Sequence, residues 1–281
     1  MTLALFSLVL AAAAMHATWN ALIKTRSDRF ASISLATLGA SIVVLPILPF
    51  VDFPSIEVWI WIAASVIIHA GYRLFLVKTY DVGDFAQSYP LARGIAPLIT
   101  TVGAIIFIGE VPEGLTVLGI VVLSFGALLM SLRGSSDLSK FNRRAVGFAL
   151  LTSMLIAGYT LTDGYGVRLA NTASSYAAWL FFCDGLCSIA IGFLYRGRGL
   201  LTVLASEWKT NLLTGGLLAG SYWIIMWAMT KAPIASIAAL RETSILFAML
   251  ISVLVLGERV TPWRVLATVF IVGGVVILRI G

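Results

Sequence analysis

Residues 85–110 read FAQSYPLARGIAPLITTVGAIIFIGE, and residues 233–258 read PIASIAALRETSILFAMLISVLVLGE. Each stretch is apolar for about 20 residues, the length that crosses the hydrocarbon core of a bilayer. Matching charged residues argue that the two stretches are copies and do not agree by chance. A shift of 148 residues superposes Arg93 on Arg241, Gly109-Glu110 on Gly257-Glu258, Ser88 on Ser236, and Gly126 on Gly274.

Similar apolar stretches fill the chain. Hydrophobic residues make up 60% of it and charged residues only 11%, against about a quarter charged in soluble domains. Because hydrocarbon offers no partner to backbone polar groups, spanning segments of this kind must be helices. The predicted spans are 2–23, 32–51, 57–78, 85–108, 114–132, 145–163, 173–195, 209–230, 233–256 and 262–280.

Two halves of five spans each, 1–140 and 141–281, follow from this layout. Because five spans are an odd number, the first half ends on the opposite side of the membrane from where it begins. The second half therefore inserts with the inverted orientation. The predicted fold class is therefore an all-α membrane protein with ten transmembrane helices arranged as two inverted five-helix repeats. Inverted repeats that enclose a solute site near the bilayer midplane are a common transporter plan.

The net charge of +6 does not indicate nucleic acid, because the basic residues sit in short clusters between apolar runs. The connections after the odd-numbered spans hold thirteen Lys and Arg residues and the opposite side holds three. The positive-inside rule then predicts both termini outside the cytoplasm. The lipid bilayer is the partner that this pattern implies, and monomer and homodimer both stay open.

Two arginines are the leading candidates for a substrate site. Arg93 and Arg241 each lie about eight residues into a span, roughly 12 Å deep at 1.5 Å per residue. A charge at that depth costs about 2.5–3.5 kcal/mol on insertion scales and marks a functional site by default. We expect both to approach the midplane and face a shared polar cavity that binds a carboxylate, phosphate or sulfonate.

Other ionisable groups in the spans have two open interpretations. Glu242 either neutralises Arg93 as a structural ion pair or binds and releases a proton. His69 is a proton relay or a hydrogen-bonding cavity residue, and Asp163 is a coordinating or titrating group near a helix end that water reaches. Arg73 is expected to snorkel to the cytoplasmic surface, and Pro97 to bend span four beside Arg93.

Aromatic and polar residues complete the candidate set. On span one these are His16, Trp19 and Asn20; Tyr159 is the counterpart of Trp19 in the second half, and span eight adds Tyr222, Trp223 and Trp227. Stacking on substrate and packing between helices are both open for them. Glu110 and Glu258 are interpreted as architecture, because a carboxylate near a helix N-terminus complements the helix dipole.

The chain resembles the drug/metabolite transporter (DMT) superfamily, EamA type, over nearly its whole length. The resemblance rests on the two halves, on Gly-Glu at the ends of spans four and nine, and on the segments His16–Asn20, Tyr89–Gly94 and Tyr159–Gly164. It implies a metabolite or drug exporter of the plasma membrane, the inner membrane in a bacterium. It also implies a central cavity lined by spans one, three, four, six, eight and nine, and adds Tyr89 to the substrate-binding candidates.

The predicted function is a secondary transporter, an exporter, of small anionic or zwitterionic metabolites such as amino acids, with proton coupling through Glu242, Asp163 or His69. The alternatives are a multidrug or organic-cation exporter that uses Glu242, a lipid-linked flippase or membrane enzyme, and a scaffold. No phosphate loop or nucleophile motif is present, so no enzyme activity is predicted. Cys183 and Cys187 do not suggest a metal site, and no cofactor is expected.

Overall fold

The computed structural model describes residues 1–24, 26, 28–82, 85–132, 143–257 and 260–281. Within these ranges the chain is all-helical, with no strand assigned. The helices are α1 (Leu3–Lys24), α2 (Arg29–Val44, continued by a 3-10 helix over Leu45–Phe50), α3 (Ile56–Val82), α4 (Phe85–Gly103, continued by a π-helix over Ala104–Ile108), α5 (Gly114–Leu132), α6 (Arg143–Leu169), α7 (Ala173–Arg196), α8 (Gly199–Met229), α9 (Ile234–Arg241), α10 (Ser244–Leu256) and α11 (Pro262–Ile280).

Nine of the described helical segments are long and apolar enough to cross a membrane. One of the nine, Ile234–Val255, includes both α9 and α10. The apolar part of α5, Gly114–Met130, is shorter than the others. The chain is thus a multi-pass membrane protein, and the tenth span and the inverted repeat stay predictions.

The distribution of side chains is that of a protein surrounded by lipid. Large apolar side chains are exposed on the outside, among them Ile67, Phe107 and Leu254. Arg93 and Asp163, in contrast, are among the buried residues. This inverts the usual arrangement in a soluble protein, because lipid solvates apolar side chains but not ionised ones.

Glycine ends the helices at the two Gly-Glu positions. Gly109 has φ of 76° and Gly257 has φ of 68°, both in the left-handed region. A side chain there would cost about 1–2 kcal/mol, which explains why both halves carry glycine at this point. Positions related by the shift of 148 residues therefore share a backbone conformation.

Helices α5 and α11 pack at glycines that are also related by this shift. A Cβ atom added at Gly126 would lie 2.8 Å from the backbone N of Ile271, and one at Gly274 would lie 2.6 Å from the backbone N of Leu123. Small residues allow this close approach of helices in a membrane, where van der Waals packing replaces the hydrophobic effect.

The eighth span differs from its prediction. Residues 196–209 were expected to form a loop, but α8 already begins at Gly199 and bends at Glu207, whose φ of −127° and ψ of 17° are not helical. The added segment is held by Leu200, which is fully buried against Ala31 and Leu35 of α2. An apolar contact of this kind explains why a segment with several polar residues is helical.

The centre of the molecule is formed by α1, α3, α4, α6, α8, α9 and α10. Helix α1 contacts α8, α9 and α10, while α6 contacts α3, α4, α8 and α9. Helices from both halves of the chain therefore meet here, as the predicted shared site requires.

Candidate functional site

The ninth span is interrupted at the centre of the molecule. Helix α9 ends at Arg241 and α10 begins at Ser244, and the break is closed by tight turns in which Glu242 N donates to Ala239 O at 3.0 Å and Ile245 N donates to Glu242 O at 3.0 Å. Helix α4, by contrast, continues through Pro97, where the sequence predicts a bend. The interruption beside an intramembrane arginine thus occurs in the second half.

Two arginines and one carboxylate meet at this break. The Nε of Arg93 lies 2.7 Å from Oε2 of Glu242, and the Nε of Arg241 lies 3.8 Å from Oε1 of the same carboxylate. All three residues are buried: Arg93 and Glu242 are each 1% exposed, and Arg241 is 3% exposed. The Nη2 of Arg93 also donates to Ser244 Oγ at 3.1 Å. The expected ion pair between Arg93 and Glu242 is present, and both guanidinium groups avoid lipid.

Arg241 rests on aromatic rings. Its Cζ lies 5.7 Å from the ring centroid of Tyr159 and 5.9 Å from that of Tyr222, and its Nη2 donates to Thr160 Oγ1 at 3.4 Å. The electron-rich face of a tyrosine ring attracts a cation within about 6 Å. These contacts orient the guanidinium group. None of them is a short bidentate ion pair with a carboxylate, such as the one between Arg73 and Asp184.

His69 of α3 stacks on the same tyrosine. The His69 and Tyr159 rings are 4.2 Å apart between centroids, with 22° between their planes. The His69 Nδ1 is 3.1 Å from Ser65 Oγ and 3.0 Å from Ser65 O. The histidine is therefore oriented by its own helix and belongs to the aromatic group around Arg241.

Asp163 corrects an expectation from the sequence. It was predicted near a helix end that water reaches, but α6 continues to Leu169 and Asp163 is fully buried. Its Oδ1 accepts a hydrogen bond from the Tyr176 hydroxyl at 2.9 Å, and its Oδ2 accepts one from the Tyr222 hydroxyl at 2.5 Å. Tyr222 thus joins Asp163 to the Arg241 region.

Arg73 also differs from its prediction. It does not snorkel to the surface; its Nη1 and Nη2 donate to the two carboxylate oxygens of Asp184 at 2.7 and 2.8 Å, and both residues are buried. Asp184 is not among the residues predicted from the sequence. The feature that could have identified Asp184 is its position inside a predicted span, because a carboxylate in a membrane requires a partner.

The three candidates on α1 have different surroundings. The His16 ring lies 5.1 Å from that of Trp19 and within electrostatic range of Arg93 and Arg241. The buried indole Nε1 of Trp19 has no acceptor among the described residues. The amide of Asn20 donates to His16 O at 2.8 Å, within its own helix. Trp19 therefore keeps a donor for a ligand, whereas Asn20 already uses one amide N–H locally.

The remaining aromatic candidates do not form one group. Trp223 is partly buried against the core. Trp227 is 37% exposed and lines a cavity of about 480 Å³ at the end of α8, together with Arg168 and Lys231. The side chain of Tyr89 lies outside the described part of the chain.

Glu110 is an architectural residue, and its partners come from the other half. Its Oε1 accepts from Arg168 Nη1 at 2.6 Å, and its Oε2 accepts from the backbone N of Ile234, the first residue of α9, at 2.9 Å. The same arginine donates to the carbonyls of Met229 and Ala232. This clamp ties the end of α6 to the connection between α8 and α9. Glu258 lies outside the described residues.

In the part of the chain that the structure describes, no group of three or more His, Cys, Asp or Glu side chains could hold a metal ion. Cys183 and Cys187 are free thiols. The polar cluster instead combines guanidinium groups, carboxylates and phenols inside a ring of apolar helices. Ionisable groups in such surroundings make this cluster the candidate functional site of the protein.

Comparison with known proteins finds a family of membrane transporters. The model of the EamA-like transporter family matches residues 143–280, from the start of α6 to the end of α11. The second half of the chain is therefore similar to the EamA-like transporter family, which is a family of the drug/metabolite transporter superfamily. The resemblance seen in the sequence is confirmed by this match, which is to a family of membrane transporters.

Twenty-eight chains of solved structures match the fold. One of them, described only as the crystal structure of a protein, superposes with a TM-score of 0.74 at 14% sequence identity, over 98% of this chain and 95% of its own. At that identity the likeness concerns the fold alone. No curated protein sequence matches the chain.

Proposed function

We propose that this chain is a secondary transporter that exports small anionic or zwitterionic metabolites, such as amino acids, from the bacterial cytoplasm. Transport uses alternating access between the two halves, residues 1–140 and 141–281. The observation that carries the proposal is the convergence of Arg93 and Arg241 on the single carboxylate of Glu242. The substrate site comprises Arg241 and its neighbours on α1, α3, α6 and α8.

Charge supports an anionic group on the substrate. When the buried carboxyl of Asp163 is protonated, Arg93, Arg241 and Glu242 leave one surplus positive charge in a place with little access to water. A buried surplus charge is costly unless a partner of opposite sign joins it. A carboxylate, phosphate or sulfonate supplies that partner, and a guanidinium can bind it through two parallel hydrogen bonds.

The contacts of Arg241 favour it over Arg93 as the substrate-binding arginine. Arg93 is in short ion-pair contact with Glu242 and also bonds Ser244. Arg241 is 3.8 Å from Glu242 and otherwise lies against ring faces and the Thr160 hydroxyl. The Tyr159 and Tyr222 rings beside it can stack on the apolar part of a metabolite.

The interrupted ninth span supports alternating access. Transporters commonly place discontinuous helices at the substrate site, where they line a cavity and absorb changes in backbone direction. The break after Arg241 lies between α9, which the Glu110–Arg168 clamp holds, and α10. Opening of the clamp would therefore be transmitted to the side chains of Arg241 and Glu242.

The organic-cation exporter is a weaker interpretation of the same cluster. Its working charge would be Glu242, but that carboxylate already lies within 4 Å of two arginine Nε atoms. A cationic substrate would have to displace them and enter a region of positive potential. A lipid-linked substrate would need a lateral opening between helices as well as the anion site.

The test is uptake into proteoliposomes. Wild-type protein, Arg241→Gln and a control, Arg198→Gln, whose side chain is exposed outside the site, are supplied with labelled L-glutamate, succinate, phosphate and tetraethylammonium. We expect transport of at least one anion and roughly a ten- to hundredfold loss in affinity for Arg241→Gln, the value of a hydrogen bond to a charged group. Equal anion transport by all three proteins, or transport of the cation alone, would overturn the proposal.

A further inference from the structure

Three carboxylates are buried among the described residues, and they differ in their partners. Asp184 is held by both terminal nitrogens of Arg73. Glu242 lies within ion-pair distance of Arg93 and Arg241. Within the described ranges Asp163, which is fully buried, has no Lys, Arg or His nitrogen within 4.0 Å, and its partners are hydroxyl groups: those of Tyr176 and Tyr222, together with the Ser65 side chain.

Two phenols hold a carboxyl group in either protonation state. A hydroxyl donates to an ionised carboxylate, and it can also accept from the O–H of a carboxylic acid. A bidentate arginine, as at Asp184, has donors only and favours the ionised form. Because burying an ionised carboxylate without a cation is expensive, the surroundings of Asp163 are those of a group that takes up and releases a proton.

We propose that Asp163 is the proton-binding site of this transporter, and that a proton on Asp163 and an anionic group at Arg241 bind together. The coupling between them rests on the proposed anion site. The proton site itself rests only on the burial of Asp163 and on its hydroxyl partners.

Tyr222 connects the two sites. Its hydroxyl donates to Asp163 Oδ2 at 2.5 Å, and its ring lies 5.9 Å from the Cζ of Arg241. With Asp163 ionised, the charges of Arg93, Arg241, Glu242 and Asp163 cancel. Protonation of Asp163 leaves one positive charge, which an anionic substrate neutralises.

Each helix packed against α6 brings a charged or titratable group that bears on this site. The groups are His69 on α3, Arg93 on α4, Tyr176 on α7, Tyr222 on α8 and Arg241 on α9, with Tyr159 on α6 itself. The charge of Arg93 is balanced within the cluster, because Arg93 pairs with Glu242. His69 is the rival proton site, because it lies within electrostatic range of Asp163.

Coupled binding has a consequence for transport. The carrier then moves proton and anion in the same direction, and an excess of the anion on one side drives both to the other. Binding of each ligand must strengthen that of the other by the same factor, since the two equilibria are linked.

The proton site is tested without any substrate. Infrared difference spectra of the purified protein between acidic and alkaline pH report the C=O band of a carboxylic acid that becomes ionised. We expect one such band in wild-type protein, in His69→Gln and in Glu57→Gln, an exposed control carboxylate, and its loss in Asp163→Asn. Asp163→Glu should restore a band at a shifted frequency. An unchanged band in Asp163→Asn would overturn the proton site.

The coupling is tested by the pH dependence of binding, with succinate, L-glutamate and phosphate as probes. Wild-type affinity should fall about tenfold for each pH unit in the range where Asp163 is ionised, while Asp163→Asn should bind the same probe with little dependence on pH. Equal pH dependence in the two proteins would overturn the coupling. Absence of binding for every probe would count against the proposed anion site, and the infrared result would still decide the proton site.

Discussion

The Nε of Arg93 and Oε2 of Glu242, which belong to different halves of the chain, lie 2.7 Å apart in the interior of the protein. Both residues are 1% exposed. Because Arg241 shares this carboxylate, removal of Glu242 leaves two buried arginines uncompensated, whereas removal of Arg93 leaves Glu242 with Arg241.

We therefore expect Glu242→Met to lower the free energy of unfolding by roughly 3–5 kcal/mol, the range measured for broken buried pairs. The double variant Arg93→Met/Glu242→Met should recover part of this loss. Chemical unfolding in detergent measures both. Additive losses in the double variant would show that the two side chains are not coupled in stability.

Glu242→Gln distinguishes an anion carrier from a cation carrier. The substitution removes the negative charge beside Arg93 and Arg241 and keeps the size of the side chain. For an anion carrier we expect binding of succinate or L-glutamate to be kept or strengthened, because the positive potential rises. Loss of anion binding, with thermal stability unchanged, would contradict the assignment; thermal shift with each probe provides the measurement.

Arg73 and Asp184 offer a contrasting pair with a structural role. Asp184→Leu should destabilise the protein by about 3–5 kcal/mol, because Arg73 is left buried without its partner. Arg73→Leu/Asp184→Leu should regain most of that stability and retain substrate transport. If the double variant is stable but inactive, the pair has a role in transport that its geometry does not indicate.

Gly274→Ala tests the close packing of α5 and α11. A Cβ atom there would lie 2.6 Å from Leu123 N, so the two helices must separate. Overpacking of this kind typically costs 1–3 kcal/mol. The matched control is the neighbouring Gly273→Ala, whose Cβ atom would meet nothing within 4 Å and should stabilise the helix slightly. Equal melting temperatures for the two variants would contradict this packing.

Arg168→Gln tests the clamp between Glu110 and the connection from α8 to α9. The variant loses the ion pair to Glu110 and weakens the hydrogen bonds to Met229 O and Ala232 O. We expect faster hydrogen exchange over residues 230–234, because this backbone is then less restrained. Exchange over α3 should not change; faster exchange throughout the protein would instead indicate general destabilisation.

Much of the architecture could be read directly from the chain. Hydrocarbon imposes a length and an apolar composition on every spanning helix, so most helices lie where they were predicted. The same physics marked Arg93 and Arg241, because an ionised group inside an apolar run needs a polar environment. Left-handed backbone at Gly109 and Gly257 likewise agrees with the conspicuous Gly-Glu pairs.

Only the tertiary structure shows which buried charged side chains pair with one another. A sequence states that a buried charge requires compensation, but the rotation and tilt of each helix select the partner. For this reason Arg73 was assigned to the surface although it pairs with Asp184, and Asp163 was assigned to a wet helix end although two tyrosines enclose it. Helix length and apolar composition are local properties of the chain, whereas contacts between distant side chains depend on the packing of all the helices together.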